Sequence, residues 1–311
     1  MRIVYLGTPE FAVEPLRNLV KNGYDVVAVI TAHDKPVGRK SVLTPPPIKV
    51  EANKLGIPVY QFKSIRKEGV ETLRLLKPDL MITCAFGQIL SQEVLDVPTM
   101  YTLNIHGSIL PELRGAAPIQ YALLEGKTKT GITIMKTDVG IDTGDILIKS
   151  EIEIDKQINY GELSNRLSSL GAELIVKALK LIENNEAKFI KQDDSKATFT
   201  KMIKAEDEII NFYRPAKEIH DKVRAYNPNP VARTTYDGTI MKIYKTKVIE
   251  EFGQFGFPGQ VIISSPKIGL VVACGRGSIE IQELQMAGGK VMPAKSYLNG
   301  KGIELGAVLG K

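Results

Sequence analysis

Short apolar runs alternate with helical patterns through the first half of this chain, and that alternation constrains its fold more than any other feature. Five of the runs are typical of buried strands, at 2–6, 25–31, 57–60, 79–84 and 101–106. Helical periodicity lies between them, at 48–55 and 67–76. Strands that alternate with helices build a mostly parallel sheet covered on both faces. We therefore predict a doubly wound, Rossmann-like α/β domain, completed by strands at 132–136 and 146–154 and a helix at 160–184.

The character of the sequence changes after residue 190. The stretch 191–206 is polar and mixed in charge, which suits a linker. Short strands with turn signals follow, and Asp237-Gly238 between two of them is a strong hairpin signal. Such a series favours a small, OB-like β-barrel. We predict a first domain at 1–190, a linker at 191–206 and a second domain at 207–311.

Charge and cysteine content bear on the partners of this protein and on its cellular compartment. The 311 residues include 41 Lys and Arg against 35 Asp and Glu, a net charge of +6 that suits either a polyanionic partner or simple solubility. Cys84 and Cys274 lie far apart in apolar runs, with neither disulfide nor metal-ligand spacing, so we expect buried thiols in a reducing compartment. With no signal segment and no apolar run of membrane length, the expectation is a cytoplasmic protein, monomeric by default.

Asn104 and His106 form the first candidate catalytic pair. They stand two positions apart at the end of a predicted strand, so both side chains point to the same side. Ligand sites of doubly wound sheets lie at such strand ends. An amide that can donate to a developing oxyanion, beside an imidazole that can move a proton, suits acyl transfer. A strand-end histidine that only caps a loop would show the same spacing.

A turn at 138–145 is the second candidate, because it holds three acids and two glycines in eight residues. Asp142 within it could orient an imidazole, although a solvated β-turn favours the same residue types. The metal-ligand spacing of an EF-hand is missing. The chain also lacks a Walker loop, a G-x-G-x-x-G after its first strand and a G-x-S-x-G elbow, which disfavours nucleotide-dependent redox chemistry and serine hydrolysis.

Three segments together resemble the formyltransferase family that uses 10-formyltetrahydrofolate: 104–111, 114–119 and 138–145. The likeness extends from 7–11 to 289–292, essentially the whole chain. It implies a catalytic triad of Asn104, His106 and Asp142, and no metal. It also implies a folate-binding set in which the side chains of Ile89 and Leu90 cover the pterin faces, made up of Phe86, Gly87, Gln88, Ile89, Leu90, Ser108, Leu110, Pro111, Val139, Gly140 and Ile141.

The acceptor has to be inferred separately, because family members formylate different amines. Glycinamide ribonucleotide, a nucleotide-linked amino sugar and methionyl initiator tRNA are the alternatives, and a non-catalytic nucleic-acid-binding protein with a degenerate site is another. The insertion 34–49 carries a net charge of +3 and resembles the basic loop of the members that act on tRNA. Its glycine and prolines predict a non-helical, mobile loop. The resemblance implies tRNA contacts from Lys35, Arg39, Lys40 and Lys49.

Overall fold

The structure is a computed structural model that describes residues 1–38 and 41–311. The strands, in chain order, are β1 (Arg2–Gly7), β2 (Asp25–Thr31), β3 (Lys35–Val37), β4 (Val42–Thr44), β5 (Val59–Gln61), β6 (Leu80–Cys84), β7 (Tyr101–His106), β8 (Arg114–Gly115), β9 (Lys129–Lys136), β10 (Ile146–Glu153), β11 (Phe199–Thr200), β12 (Ala232–Tyr236), β13 (Thr239–Glu250), β14 (Val261–Ser265), β15 (Gly269–Ala273), β16 (Ser278–Met286) and β17 (Met292–Pro293). The α-helices are α1 (Val13–Lys21), α2 (Pro47–Lys54), α3 (Val70–Leu76), α4 (Gln92–Leu95), α5 (Pro118–Leu124), α6 (Tyr160–Glu183), α7 (Ala216–Ala225) and α8 (Ala294–Gly300).

The chain divides into two compact units. Unit 1 consists of Met1–Pro118, Lys129–Glu153 and Ser164–Thr200, and unit 2 consists of Ile119–Thr128, Ile154–Leu163 and Lys201–Lys311. Within the described ranges, no helix is long and apolar enough to cross a membrane.

Unit 1 is built on a seven-stranded sheet of order β10-β9-β7-β6-β1-β2-β5. The five strands from β7 to β5 pair in parallel, whereas β9 and β10 are antiparallel additions at the other edge. Strand β6 is buried along its whole length, as expected for a central parallel strand covered on both faces. The predicted doubly wound α/β fold is thereby confirmed.

The strand order reverses at β1, because β2 and β5 lie on one side of it and β6 and β7 on the other. Ligands bind at such reversals, outside the carboxyl ends of the strands. The register pairs Gly7 with Cys84 and Thr83 with Asn104, so the carboxyl ends of these three strands lie side by side. Beneath one face, a buried apolar cluster anchors the strands, and it includes Val4, Leu6, Ile30, Met81 and Phe86.

Most predicted elements of unit 1 are present, but the basic insertion differs from its prediction. Lys35–Val37 and Val42–Thr44 pair as a two-stranded antiparallel hairpin, where a non-regular loop was expected. The glycine and prolines of the insertion did not predict this pairing, because a hairpin forms through contact between its two strands. Helix α5, which lies in unit 2 except for its first residue, was also missed, since it follows a loop-like Gly-Ala-Ala run.

Unit 2 contains an antiparallel sheet of order β12-β13-β16-β15-β14, to which β17 adds beside β16. The C-terminal residues contact both edges of this sheet. The Val261 N–H donates to Ala307 O at 2.8 Å on β14, and the Gly310 N–H donates to Thr235 O at 2.9 Å on β12. The last residues of the chain therefore cover the two edges that the strand order leaves open, and the predicted C-terminal sheet domain is confirmed.

A buried histidine makes the stability of unit 2 depend on pH. His220 lies in α7, where its Nδ1 is 3.0 Å from Thr246 Oγ1, and burial lowers its pKa below 6.5. In the unfolded chain the imidazole binds a proton at about pH 6.5, whereas in the folded chain it binds one only at lower pH. The free energy of unfolding is therefore highest above about pH 6.5 and decreases as the pH falls below it.

We expect the free energy of unfolding of wild type to fall more steeply between pH 7 and pH 5 than that of His220→Gln. Denaturant titrations of both proteins at several pH values measure the two slopes. Equal slopes would mean that His220 makes no contribution to acid sensitivity.

Candidate active site

Asn104 and His106 occupy the carboxyl end of β7, with the buried Ile105 between them. The two side chains differ in exposure: Asn104 is half-buried, whereas His106 is only 5% exposed. The strand thus presents an amide near the surface and an imidazole just behind it. This is the placement expected from the two-residue spacing.

Asp142 joins this pair from the loop between β9 and β10. Its Oδ1 accepts a hydrogen bond from Asn104 Nδ2 at 3.3 Å, and its Oδ2 lies 3.6 Å from His106 Nδ1. The Gly115 N–H also donates to Oδ2 at 2.8 Å. Asp142 has a φ of +53°, a left-handed conformation that is costly for aspartate and needs support from its surroundings. The structure therefore brings the three predicted residues together around one carboxylate.

The hydrogen-bond partners of His106 determine which ring nitrogen faces the site. Nε2 lies 3.0 Å from Leu113 O, and because a carbonyl only accepts, Nε2 carries a hydrogen. Nδ1 is left facing the Asp142 carboxylate, another acceptor. Two acceptors, Nδ1 and the carboxylate, then face each other, and a hydrogen from Nδ1 itself or from a bound N–H or O–H group relieves their repulsion. The pair is thus suited to receive and return the proton of a nucleophile.

Thr83, on the neighbouring strand β6, fixes the orientation of the Asn104 amide. Its Oγ1 donates to Asn104 Oδ1 at 2.9 Å, which leaves Nδ2 to face Asp142 and the open end of the site. Sequence patterns gave no reason to select Thr83, because only the β6–β7 register brings it beside Asn104.

We expect Thr83→Val to lower kcat by about tenfold, since the Asn104 amide loses the shorter of the two hydrogen bonds that orient it and its oxygen can then turn toward the developing oxyanion. Thr102→Val is the matched control: Thr102 is a buried threonine on β7 whose hydroxyl has no hydrogen-bond partner among the described residues. Removal of the Thr102 hydroxyl should leave kcat unchanged. Steady-state kinetics of the two variants measure the difference, and equal rates would remove Thr83 from the site.

The segment Phe86–Leu90 differs in part from its expected role. Phe86 and Leu90 are each 6% exposed and belong to the apolar core cluster. Gln88 is engaged on both sides, because its Nε2 donates to Phe62 O at 3.0 Å and its Oε1 accepts from the Ile65 N–H at 2.8 Å. Only Ile89, 73% exposed, presents an apolar side chain outward. Leu90 therefore packs into the core, and a contact of its side chain with a ligand face stays a prediction.

Ser108 and Leu110 are also committed to the protein interior. The Ser108 hydroxyl donates to Glu112 O at 2.6 Å, and the buried Leu110 donates its N–H to Thr133 Oγ1 at 3.1 Å. Their side chains shape the loop after β7 and are not displayed to a ligand. Pro111 is half-buried in the same loop. Strand alternation could not distinguish these roles, because the chain has left the strand at this point.

The loop before Asp142 presents the other exposed apolar residues. Val139 and Ile141 are 64% and 66% exposed, with Gly140 between them. Asp138 closes the turn, since its carboxylate accepts from Thr143 Oγ1 at 2.7 Å and from the Gly140 N–H at 3.1 Å. Uncovered apolar side chains beside a polar cluster are typical of a small-molecule site.

The predicted basic contact residues have different outcomes. Lys35 is exposed on β3, and Arg39 and Lys40 lie outside the described residues. Lys49 is not displayed: its Nζ donates to Asp34 Oδ1 at 2.8 Å and to Gln61 Oε1 at 2.9 Å. The Lys49 ammonium also lowers the pKa of Asp34. Lys49 therefore anchors the base of the hairpin, and its expected phosphate contact stays a prediction.

Comparisons with known proteins agree with this architecture and site. The model of the formyl transferase family matches residues 1–179, and that of the formyl transferase C-terminal domain matches residues 202–302. A methionyl-tRNA formyltransferase of Bacillus velezensis is 45% identical, covering 100% of this chain and 98% of that protein. The chain therefore belongs to the formyl transferase family, among the relatives named methionyl-tRNA formyltransferase, as the motifs predicted.

Solved structures share the fold at lower identity. HypX from Aquifex aeolicus, solved with tetrahydrofolic acid, matches with a TM-score of 0.68 and 18% identity. That match covers 98% of this chain but only 48% of HypX. An N-formyltransferase from Helicobacter canadensis, solved with folinic acid and dTDP-3-aminofucose, gives a TM-score of 0.67 at 23% identity. That match covers 90% of this chain and 98% of the Helicobacter chain. At these identities the likeness concerns the fold.

Proposed function

We propose that this protein transfers the formyl group of 10-formyltetrahydrofolate to the α-amine of methionyl initiator tRNA. One observation carries the chemistry: a single carboxylate, that of Asp142, contacts the Asn104 amide and faces the His106 imidazole at the carboxyl end of β7. The names of the full-length relatives support the tRNA acceptor, and the tetrahydrofolic acid bound to HypX supports a folate donor.

The exposed apolar residues fit the flat ring of a folate. Ile89, Val139 and Ile141 offer uncovered side chains, and Gly140, which has no side chain, lets the ring approach the backbone between the last two. Phe86, Gly87, Gln88 and Leu90 contribute to this proposed site through their backbone and by supporting Ile89. Ser108, Leu110 and Pro111 shape its floor.

The three polar side chains divide the chemistry between them. The folate donor supplies the formyl carbon, which gains a bond to the amine nitrogen and loses its bond to N10. Asn104 Nδ2 donates to the formyl oxygen as negative charge develops on it, and His106 Nδ1 donates to it once the ring has taken the amine proton. Asp142 and His106 take the proton that the amine releases and return it to N10, so the enzyme ends in its starting state. The cluster includes no nucleophilic Cys or Ser, so no covalent enzyme intermediate is part of the proposal.

The acceptor assignment rests on charge. The insertion 34–49 has a net charge of +3, and residues 205–311 carry fourteen Lys and Arg against eleven Asp and Glu. Phosphates are bound by such surfaces. We propose a catalytic domain at 1–190, a linker at 191–206 and a tRNA-contacting domain at 207–311, in a monomer that works in the cytoplasm, where translation begins.

Formyl transfer from 10-formyltetrahydrofolate to three acceptors tests this proposal. Charged initiator methionyl-tRNA, glycinamide ribonucleotide and a nucleotide-linked amino sugar are compared at equal concentration. Rapid transfer to the tRNA alone is the expected result. Transfer only to a small acceptor would contradict the tRNA assignment, and tRNA binding without transfer would favour a non-catalytic binding protein.

Arg39→Ala tests the role of the basic insertion separately. We expect kcat/KM for the tRNA to fall by about tenfold or more, because losing a specific arginine contact to a nucleic acid costs about 1–3 kcal/mol. The affinity for the folate donor should not change. Arg66→Ala, which removes an exposed arginine of the same unit, is the matched control. Weaker folate binding in Arg39→Ala would show that the insertion serves the donor instead.

A further inference from the structure

Residues 191–200, which we call the brace segment, are bound to both loops of the active site. Strand β11 pairs in parallel with β8, so that Phe199 is aligned with Arg114 and Thr200 with Gly115. The Arg114 N–H donates to Thr198 O at 2.8 Å, and the Leu113 N–H donates to Thr198 Oγ1 at 2.8 Å. Leu113 is the residue whose carbonyl holds His106. The brace segment therefore supports the loop behind the imidazole.

Gln192 extends this support to the loop that carries Asp142. Its Nε2 donates to Asp142 O at 2.9 Å and to Gly144 O at 2.7 Å, so both amide hydrogens are used. The side chain is buried, with 7% of the residue exposed. Gln192 thus holds the backbone carbonyls just before and just after Thr143, and this constrains the backbone of Asp142.

Arg114 fixes the orientation of the Gln192 amide. Gln192 Oε1 accepts from Arg114 Nε at 3.1 Å and from Nη2 at 2.9 Å, and Nη2 also donates to Asp194 Oδ1 at 2.7 Å. Because a guanidinium only donates, the amide oxygen must face it and the NH₂ group must face the two carbonyls. Arg114 is 3% exposed, so this arrangement is shielded from water.

These bonds explain how Asp142 holds a costly conformation. Its φ of +53° turns the carboxylate toward Asn104, His106 and the Gly115 N–H, while its own carbonyl turns toward Gln192. Without the two donations from Gln192, the carbonyls would be left unpaired in a buried setting and the loop would relax. The carboxylate would then move away from Nδ1.

We propose that Gln192, oriented by Arg114, is a positioning residue for Asp142 in formyl transfer. It contacts the backbone of Asp142 and acts through that residue. The kinetic test of this inference rests on the proposed function, whereas the spectroscopic test below does not.

Two variants separate positioning from folding. Gln192→Glu keeps the side-chain length and the acceptor for Arg114 but loses both donors, and Gln192→Met loses them without adding charge. We expect each to lower kcat by about 30-fold, since a displacement of about 1 Å at a reacting group costs up to a hundredfold. KM for donor and acceptor should stay within about threefold, because the binding surfaces are untouched.

Gln285→Glu is the matched control. Gln285 also donates to a backbone carbonyl, Gly289 O at 2.9 Å, and accepts from a side chain, Tyr244 Oη at 3.0 Å, but it lies in the sheet of unit 2. Its kcat should equal that of wild type. In an Asp142→Ala background, Gln192→Glu should cause no further loss, because it acts through the missing carboxylate. A full additional loss there, or wild-type kcat in both Gln192 variants, would overturn the inference.

Histidine NMR tests the positioning without any substrate. The chain has three histidines, so the ring signals of His106 can be assigned by the one set that disappears in His106→Gln. In Gln192→Glu, and likewise in Gln192→Met, the His106 signals should move toward their positions in Asp142→Asn, while those of His33 and His220 stay in place. Unchanged His106 signals would overturn the inference even if formyl transfer is confirmed, and shifted signals would support it even if the proposed acceptor is wrong.

Discussion

His106→Ala and Asn104→Ala are each expected to lower kcat for formyl transfer by about a hundredfold or more. The loss of the imidazole removes the group that faces the Asp142 carboxylate across 3.6 Å, so the amine proton loses its acceptor pair. The loss of the amide removes a donor whose orientation is fixed in advance by Thr83. Preorganised donors of this kind stabilise the developing oxyanion without reorganisation.

Asn22→Ala is the control for this pair of variants, because it removes an exposed amide at the end of α1 whose hydrogen bonds to described residues are both with Asn18, one turn earlier. Single-turnover rates at saturating donor and acceptor, with thermal unfolding to establish folding, measure the effect. Near-normal turnover in both active-site variants would remove this cluster from the mechanism.

Gly144→Ala should produce the second large effect, through backbone geometry rather than chemistry. A Cβ at this position would lie 1.9 Å from Lys136 O, far closer than van der Waals contact allows. Lys136 is fixed in turn, because its N–H donates to Asp145 O at 2.9 Å. The loop must shift to relieve the clash, and that shift displaces both Asp142 and the carbonyl that Gln192 holds. We expect kcat to fall by about a hundredfold and the free energy of unfolding by about 1–3 kcal/mol.

Gly300→Ala is the matched substitution, because an added Cβ there would meet no atom within 4 Å in the part of the chain that the structure describes. It should leave kcat unchanged and leave stability equal or slightly higher, since alanine is the better helix former. Kinetics and denaturant unfolding of both variants make the comparison. Wild-type kcat in Gly144→Ala would show that the position of the Asp142 loop does not limit the reaction.

The sequence was most informative where local chemistry decides the structure. The alternating runs predicted the strands of unit 1 almost residue by residue, and β7 has the predicted bounds Tyr101–His106. It was least informative where a residue's partner is distant along the chain. Lys49 has the charge of a phosphate ligand, but its pairing with Asp34 and Gln61 depends on how the hairpin folds back. Leu90 is apolar in either role, and only packing shows that it belongs to the core.

By itself the sequence determined the α/β fold, the shared direction of Asn104 and His106, and the family. Strand periodicity and apolar alternation are written into neighbouring residues, so no distant contact is needed to recognise them. Only the tertiary structure decided which contacts join Asp142 to Asn104 and His106, and that Gln192 holds the backbone of Asp142. Asp142 reaches Asn104 because β9 runs antiparallel beside β7, and Gln192 reaches Asp142 because the brace segment pairs with β8. Such contacts join residues dozens of positions apart, and their free energy depends on burial that no local pattern records.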